Sequence, residues 1–134
     1  MADGDAPVVG MNLPALAEGF VGSEDVLAQM LGLFETQARE RLAELDAALA
    51  SGDAEAGRKT LHSLVNIAGA VRAYVLADLA RRAGEALRGD DLPTARELAV
   101  GLRAEAALVL RQSACLLALY RQSPAALWSS PLPR

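Results

Sequence analysis

Apolar residues recur at steps of three and four along most of the chain, and this spacing predicts long amphipathic helices. Charged residues fall between the apolar ones, which is typical of a helix that buries one side. The first long helix is predicted from residue 24 to 50, after Ser23 as a cap and before a break at Ser51-Gly52-Asp53. Its apolar positions are Val26, Leu27, Met30, Leu31, Phe34, Ala38, Leu42, Leu45 and Leu49.

Three further helices are predicted after this one. Asp53 can cap a helix from residue 54 to about 73, and another runs from about 76 to 88, with Gly89 placed to terminate it. A last long helix ends before Pro124. The connections are too short to cross the length of a bundle, so we expect an all-α fold, an antiparallel four-helix bundle.

The two ends of the chain lack this periodicity. Residues 1–13 are predicted to be a flexible lead-in, and residues 14–19 a short helical turn at the start of the bundle, which spans 14–122. Residues 123–134 contain three prolines and are predicted to form a tail that does not continue the last helix. Trp128 lies in this tail, either packed back onto the bundle, which we favour, or exposed as a contact residue.

Composition agrees with helices and narrows the possible partners. The chain has 134 residues, 52% hydrophobic and 4% aromatic, so one domain with a core of Leu, Ala and Val is expected. Its 13 basic and 17 acidic residues are interspersed, which disfavours nucleic acid as a partner. The acidic start does not resemble a signal peptide, and no uninterrupted apolar run spans a membrane. We expect a cytoplasmic monomer.

Few residues are available for autonomous catalysis. Cys115 is the sole cysteine and His62 the sole histidine, about fifty residues apart on different predicted helices. This excludes a disulfide within the chain and disfavours a cysteine or histidine metal site and a Cys/His nucleophile pair. No glycine-rich phosphate loop ending in Lys-Ser/Thr occurs either. The sequence therefore predicts no metal site.

His62 stands out because of its place on the second long helix. The core stripe there is predicted to contain Leu61, Leu64, Ala68 and Val71, which leaves His62 near solvent. At 100° per residue, its own face also carries Arg58, Lys59, Asn66 and Gly69. A neutral imidazole can accept a phosphoryl group, and nearby cations would offset the added charge. The same pattern also fits a solvated surface histidine.

The histidine segment resembles the signature of the histidine phosphotransfer (HPt) family. That signature commonly reads Ala-His-x-Leu-Lys-Gly, followed by small residues, an apolar residue and Gly-Ala. Leu61-His62-Ser63-Leu64 and the stretch from Ala68 to Ala73 follow this form. The likeness extends through about residues 14–120, including the long helix before the histidine and the stretch from Leu79 to Asp90 after it.

This resemblance implies a role in a phosphorelay. His62 would take a phosphoryl group from the aspartate of one receiver domain and pass it to another. The chain would have no intrinsic cofactor, because the receiver supplies Mg²⁺ and most of the catalytic groups. The implied partners are a response-regulator receiver domain, a hybrid histidine kinase, or both. The residues implied to contact the phosphoryl group or partner are Arg58, Lys59, Val65, Asn66, Gly69 and Arg72.

Three positions depart from the signature, and other interpretations stay open. Val65 replaces the usual lysine three residues after the histidine, while Asn66 and Arg72 each replace a glycine. One alternative is a degenerate HPt-like module that binds a receiver or kinase without transfer. Another is a histidine kinase dimerisation domain, but its acidic residue and proline after the histidine are absent from Ser63-Leu64-Val65.

Overall fold

The computed structural model describes residues 10–128, and within this range the regular elements are all helical. Four long helices pack in a closed ring, α2 on α3, α3 on α4, α4 on α5 and α5 on α2. The predicted all-α bundle is therefore confirmed. The helices are α1 (Leu13–Phe20), α2 (Glu24–Ser51), α3 (Ala54–Ala70), α4 (Tyr74–Arg88) and α5 (Leu92–Gln122), followed by a short 3₁₀ helix (Pro124–Trp128).

Side-chain caps explain where three of these helices begin. The carboxylate of Asp53 accepts a hydrogen bond from the Ala56 N–H at the start of α3, and Asp91 accepts one from Thr94 at the start of α5. Asn12 caps α1 in the same way. Ser23 makes no side-chain cap bond at the start of α2, contrary to the prediction. Glu24 instead accepts a hydrogen bond from the Gly22 N–H, 3.0 Å away.

The end of α3 differs from the prediction, because the helix stops at Ala70 rather than near residue 73. Arg72 has a φ of 60°, in the left-handed region that usually favours glycine. The Ala73 N–H donates to the Ala68 carbonyl, while the Arg72 N–H donates to the Gly69 carbonyl. This pair of hydrogen bonds is a Schellman cap, so α4 can begin already at Tyr74.

Helix α4 ends at Arg88 with Gly89 as its C-cap residue, as predicted, and the cap follows the same scheme. The left-handed residue is not Gly89, whose φ is −88°, but Asp90, with a φ of 57°. The Asp91 N–H closes the cap onto the Ala86 carbonyl. Aspartate tolerates this conformation better than most residues, because its short polar side chain can bond locally.

The first and last described helices, α1 and the 3₁₀ helix, pack where the long helices extend beyond the short ones. Helices α2 and α5 have 28 and 31 residues against 17 and 15 for α3 and α4, so they continue past one end of the bundle. Helix α1 covers this region through buried Leu16 and Phe20. Trp128 packs back, as expected, and its indole Nε1–H donates to Glu24 over 2.9 Å.

The predicted flexible lead-in packs against the bundle at Gly10 and Met11. Gly10 and Met11 are buried, and Met11 joins the hydrophobic core. Their N–H groups donate to the side chains of Glu105 and Gln112, 2.5 and 2.7 Å away. The rest of the predicted lead-in, 1–9, and the tail residues 129–134 lie outside the described range. Between residues 10 and 128, none of the helices is both long and apolar enough to cross a membrane.

Candidate functional site

His62 lies midway along α3 on the side turned away from the core. Leu64 and Ala68 point into the bundle and are fully buried, whereas His62 is exposed. It makes no hydrogen bond or ion pair with any residue from 10 to 128. The imidazole is therefore open to an incoming reactant, without a neighbour that holds either ring nitrogen.

A groove of about 500 Å³ runs beside His62, between α3 and α4. Its floor is formed by Leu61, Ala80 and Gly84, whose small or buried side chains let the two helices approach. Charged side chains form much of both walls. The lining residues are Glu55, Arg58, Lys59, Leu61, His62 and Val65 from α3, and Ala80, Arg81, Gly84, Glu85 and Arg88 from α4. We call this the α3/α4 groove.

Four of the residues expected at the site meet in this groove. Arg58, Lys59 and Val65 line it together with His62. Asn66 and Gly69 lie on the same exposed side of α3 but outside the groove, one and two turns beyond the histidine. A Cβ atom added to Gly69 would meet no other atom within 4 Å, so this glycine is not required by packing within the chain.

Arg72 is not brought to His62, although the resemblance implied a contact with the phosphoryl group or the partner. It follows the end of α3, ten residues or roughly 15 Å along the helix from the histidine. Its guanidinium lies over the Phe20 ring, 5.1 Å from the ring centroid, and donates to the Ala70 carbonyl over 2.7 Å. Arg72, which departs from the signature, therefore forms part of the α3 cap and contacts α1.

The charged residues of α4 were missed by the sequence reasoning. Arg81 donates to Asp78 and to Glu85, each over 2.7 Å, and these partners raise the pKa of Arg81 above its ordinary value, the hydrogen bond to Asp78 most of all. Arg88 has no such partner in the part of the chain that the structure describes. The spacing of these charged residues indicates an exposed face of α4. Only the packing of α4 against α3 shows that this face borders the groove beside His62.

The opposite flank of α3, toward α2, is apolar. A shallow cavity of about 160 Å³ is lined by Met30, Leu33, Phe34, Gln37, Ile67, Ala70 and Val71. Leu33 is 59% exposed although it is a large aliphatic side chain. We call this the α2/α3 patch. On α3 the patch begins at Ile67, five residues after His62.

The site presents an exposed imidazole but no metal-binding cluster among the described residues. No group of three or more His, Cys, Asp or Glu side chains between residues 10 and 128 could hold a metal ion. Cys115 is a free, half-buried thiol on α5. The chemistry that the arrangement offers is attack by a neutral imidazole nitrogen, with cations nearby to accommodate an anionic group.

Comparisons with known proteins agree with this arrangement. The family model described as Hpt domain matches residues 29–112. This span includes His62 and the greater part of each of the four long helices. A solved structure, histidine-containing phosphotransfer protein B (HptB) from Pseudomonas aeruginosa PAO1, is similar at 33% sequence identity and a TM-score of 0.67. The match covers 82% of this chain and 90% of that one. Comparison with curated protein sequences gives no match. This chain belongs to the Hpt domain family, and its function is that of a histidine phosphotransfer protein in a two-component phosphorelay.

Proposed function

We propose that His62 is the residue through which this Hpt domain accepts and donates the phosphoryl group. The observation that carries the proposal is the place of His62, the sole histidine, exposed and without a hydrogen-bond partner among residues 10–128, inside the span matched by the family model. An internal hydrogen bond to the reacting nitrogen would have to be broken before attack. Here none stands in the way.

The transfer step needs position more than further catalytic groups from this chain. An imidazole nitrogen of His62 forms a bond to the phosphorus of a receiver acyl phosphate, while the bond from phosphorus to the aspartate oxygen breaks. The bonding electrons leave with the aspartate carboxylate, and the other ring nitrogen keeps its proton. Reversal of the same step passes the group to a second receiver. Mg²⁺ belongs to the receiver in this proposal.

The α2/α3 patch is the surface on which we place the receiver domain. It is apolar and partly exposed, and on α3 it begins at Ile67, five residues after the histidine, so its burial would favour association while His62 stays beside the contact rather than within it. Leu33 supplies the most exposed aliphatic side chain of the patch. The receiver would belong to a response regulator or a hybrid histidine kinase. A monomer located in the cytoplasm is part of the same proposal.

Transfer from a phosphorylated receiver tests the role of His62. The chain is incubated with a receiver carrying a radiolabelled phosphoryl group, and acid-labile, alkali-stable label on the chain is measured. Label is expected on the wild type and absent from His62→Gln, whose fold is checked by circular dichroism. An unlabelled wild type that still binds the receiver would contradict transfer and support the binding module without transfer. Label that persists in His62→Gln would place the reaction elsewhere.

A further inference from the structure

The α3/α4 groove lacks a cation at the position where the resemblance to HPt proteins expects one. Val65, one turn after His62, lines the groove with an apolar side chain. The phosphoryl group on the imidazole carries nearly two negative charges, which nearby cations can compensate. The charged groups that line the groove are Arg58, Lys59, Arg81 and Arg88, opposed by Glu55 and Glu85.

These four cations are not equally available. Arg81 is held by carboxylates on both sides, Asp78 and Glu85, and so its charge is already compensated. The same bridge also compensates Glu85, which would otherwise repel an anion. Arg58 and Arg88 are exposed, and neither forms an ion pair within residues 10–128. They are the two arginines of the groove that are free to take a new anionic partner.

The register of the two helices sets these arginines opposite each other. A Cβ atom on Gly57 would lie 2.7 Å from Leu87, and one on Gly84 would lie 4.0 Å from Leu61. Because α3 and α4 are antiparallel, Arg88 is level with the start of α3, beside Arg58. Along the α3 axis, Arg58 is offset from His62 by about 6 Å and Arg88 by about 8 Å, and both line the same groove as the histidine.

Lys59 is less well placed than Arg58 to contact a phosphoryl group on His62 from the groove. It is rotated about 60° from His62 toward α2, whereas Arg58 and Val65 are rotated toward α4. A lysine at 65 would project over the groove, and Arg58 occupies the same flank one turn before the histidine. Arginine also presents a planar fork of donors that can bind two phosphoryl oxygens at once.

We propose that Arg58 and Arg88 form a two-sided clamp that holds the phosphoryl group on His62, one from each wall of the groove, in place of the lysine missing at position 65. The clamp rests on the proposed function of His62. It provides no acid or base, and its effect is to stabilise the phosphorylated state relative to the phosphorylated receiver. Each arginine at about 5 Å should change that equilibrium roughly three- to a hundredfold.

The clamp is tested by measuring how the radiolabel divides at equilibrium between this chain and the receiver. A radiolabelled receiver is mixed with wild type, Arg58→Gln, Arg88→Gln or the double variant at low salt, and label is counted on the chain and on the receiver. Each single variant should shift the ratio toward the receiver at least threefold, and the double variant further. Arg111→Gln is the matched control, because Arg111 is an exposed arginine of α5 outside the groove.

Restoring a positive charge at position 65 distinguishes charge compensation by the two arginines from a structural effect of their substitution. Adding Val65→Lys to the double variant should restore much of the label on the chain, and salt should weaken the effect of each arginine. A double variant that behaves as Arg111→Gln, or that Val65→Lys does not restore, would overturn the clamp while leaving His62 as acceptor. An unlabelled wild type, or label retained by His62→Gln, would instead overturn the proposed function itself.

Discussion

The backbone N–H of Gly10 donates a 2.5 Å hydrogen bond to the carboxylate of Glu105, a buried residue 95 positions later in the chain. This contact ties the segment before α1 to the middle of α5. Gly10 has a φ of 94°, and a Cβ atom there would overlap the side-chain amide of Gln112. The entry of the chain into the bundle therefore depends on a glycine and on a buried acid.

The contribution of Glu105 to the free energy of unfolding should fall as the pH rises. Burial raises the pKa of Glu105, and the hydrogen bond from Gly10 opposes that change only in part. The folded state thus binds the proton more tightly than the unfolded chain, so this stabilisation is full below the ordinary pKa of glutamate and is lost as pH rises through the raised pKa. Glu105→Gln keeps an acceptor oxygen and should remove this dependence.

Urea unfolding between about pH 4 and pH 7 measures this effect. The difference in unfolding free energy between Glu105→Gln and wild type should move in favour of the variant as the pH rises. Glu105→Ala serves as the control, because it leaves the Gly10 N–H without its acceptor and should be about 1–3 kcal/mol less stable than Glu105→Gln at every pH. A difference between Gln and wild type that is constant over this range would contradict the prediction.

Arg72 should respond to substitution as a cap residue rather than as a site residue. Arg72→Gly relieves the left-handed conformation but loses the contact with Phe20, so stability should stay within about 1 kcal/mol of wild type. Arg72→Ala keeps the strain and loses the contact, and it should be about 1 kcal/mol less stable than wild type. Both variants should accept the phosphoryl group as wild type does. A loss of labelling in a folded Arg72→Gly variant would argue against this assignment.

Gly69 should prove dispensable for folding but not for docking. Gly69→Ala adds a methyl group in open space on α3 and should stabilise the helix by roughly 0.5–1 kcal/mol. The resemblance implies that this position contacts the partner, so the same methyl should weaken receiver binding by roughly 1–3 kcal/mol, as measured by calorimetric titration. Gly101→Ala is the control, because Gly101 on α5 is equally open and should gain stability without a change in binding. Equal binding by both variants would count against a partner at Gly69.

The α2/α3 patch should lose receiver affinity when its exposed aliphatic residue is made polar. Leu33→Gln removes apolar surface that the receiver is proposed to bury, and binding should weaken by about 1–2 kcal/mol. Val100→Gln is the matched control, because Val100 on α5 is 67% exposed and lies outside the patch. If both variants bind the receiver as tightly as wild type, the receiver docks on another surface.

The sequence alone was sufficient for the helices and for the histidine. The three- and four-residue spacing of apolar positions in α2 is a local property, and the caps at Asp53 and Asp91 act within one turn. The sole histidine could be placed on the exposed face of α3 from its rotation relative to Leu64. Such features need no knowledge of distant parts of the chain, because helix formation and amphipathicity are determined within a few residues.

The tertiary structure decided what surrounds that histidine. Which face of α4 meets α3 depends on packing between helices, so the place of Arg88 in the groove that borders His62 could not be predicted from spacing. The resemblance implies that Arg72 contacts the phosphoryl group or the partner, but a left-handed cap turns it onto Phe20. The contact between Gly10 and Glu105 joins residues far apart in sequence, and no local pattern encodes it. The physical reason is that burial, register and charge pairing between helices exist only once the bundle has formed.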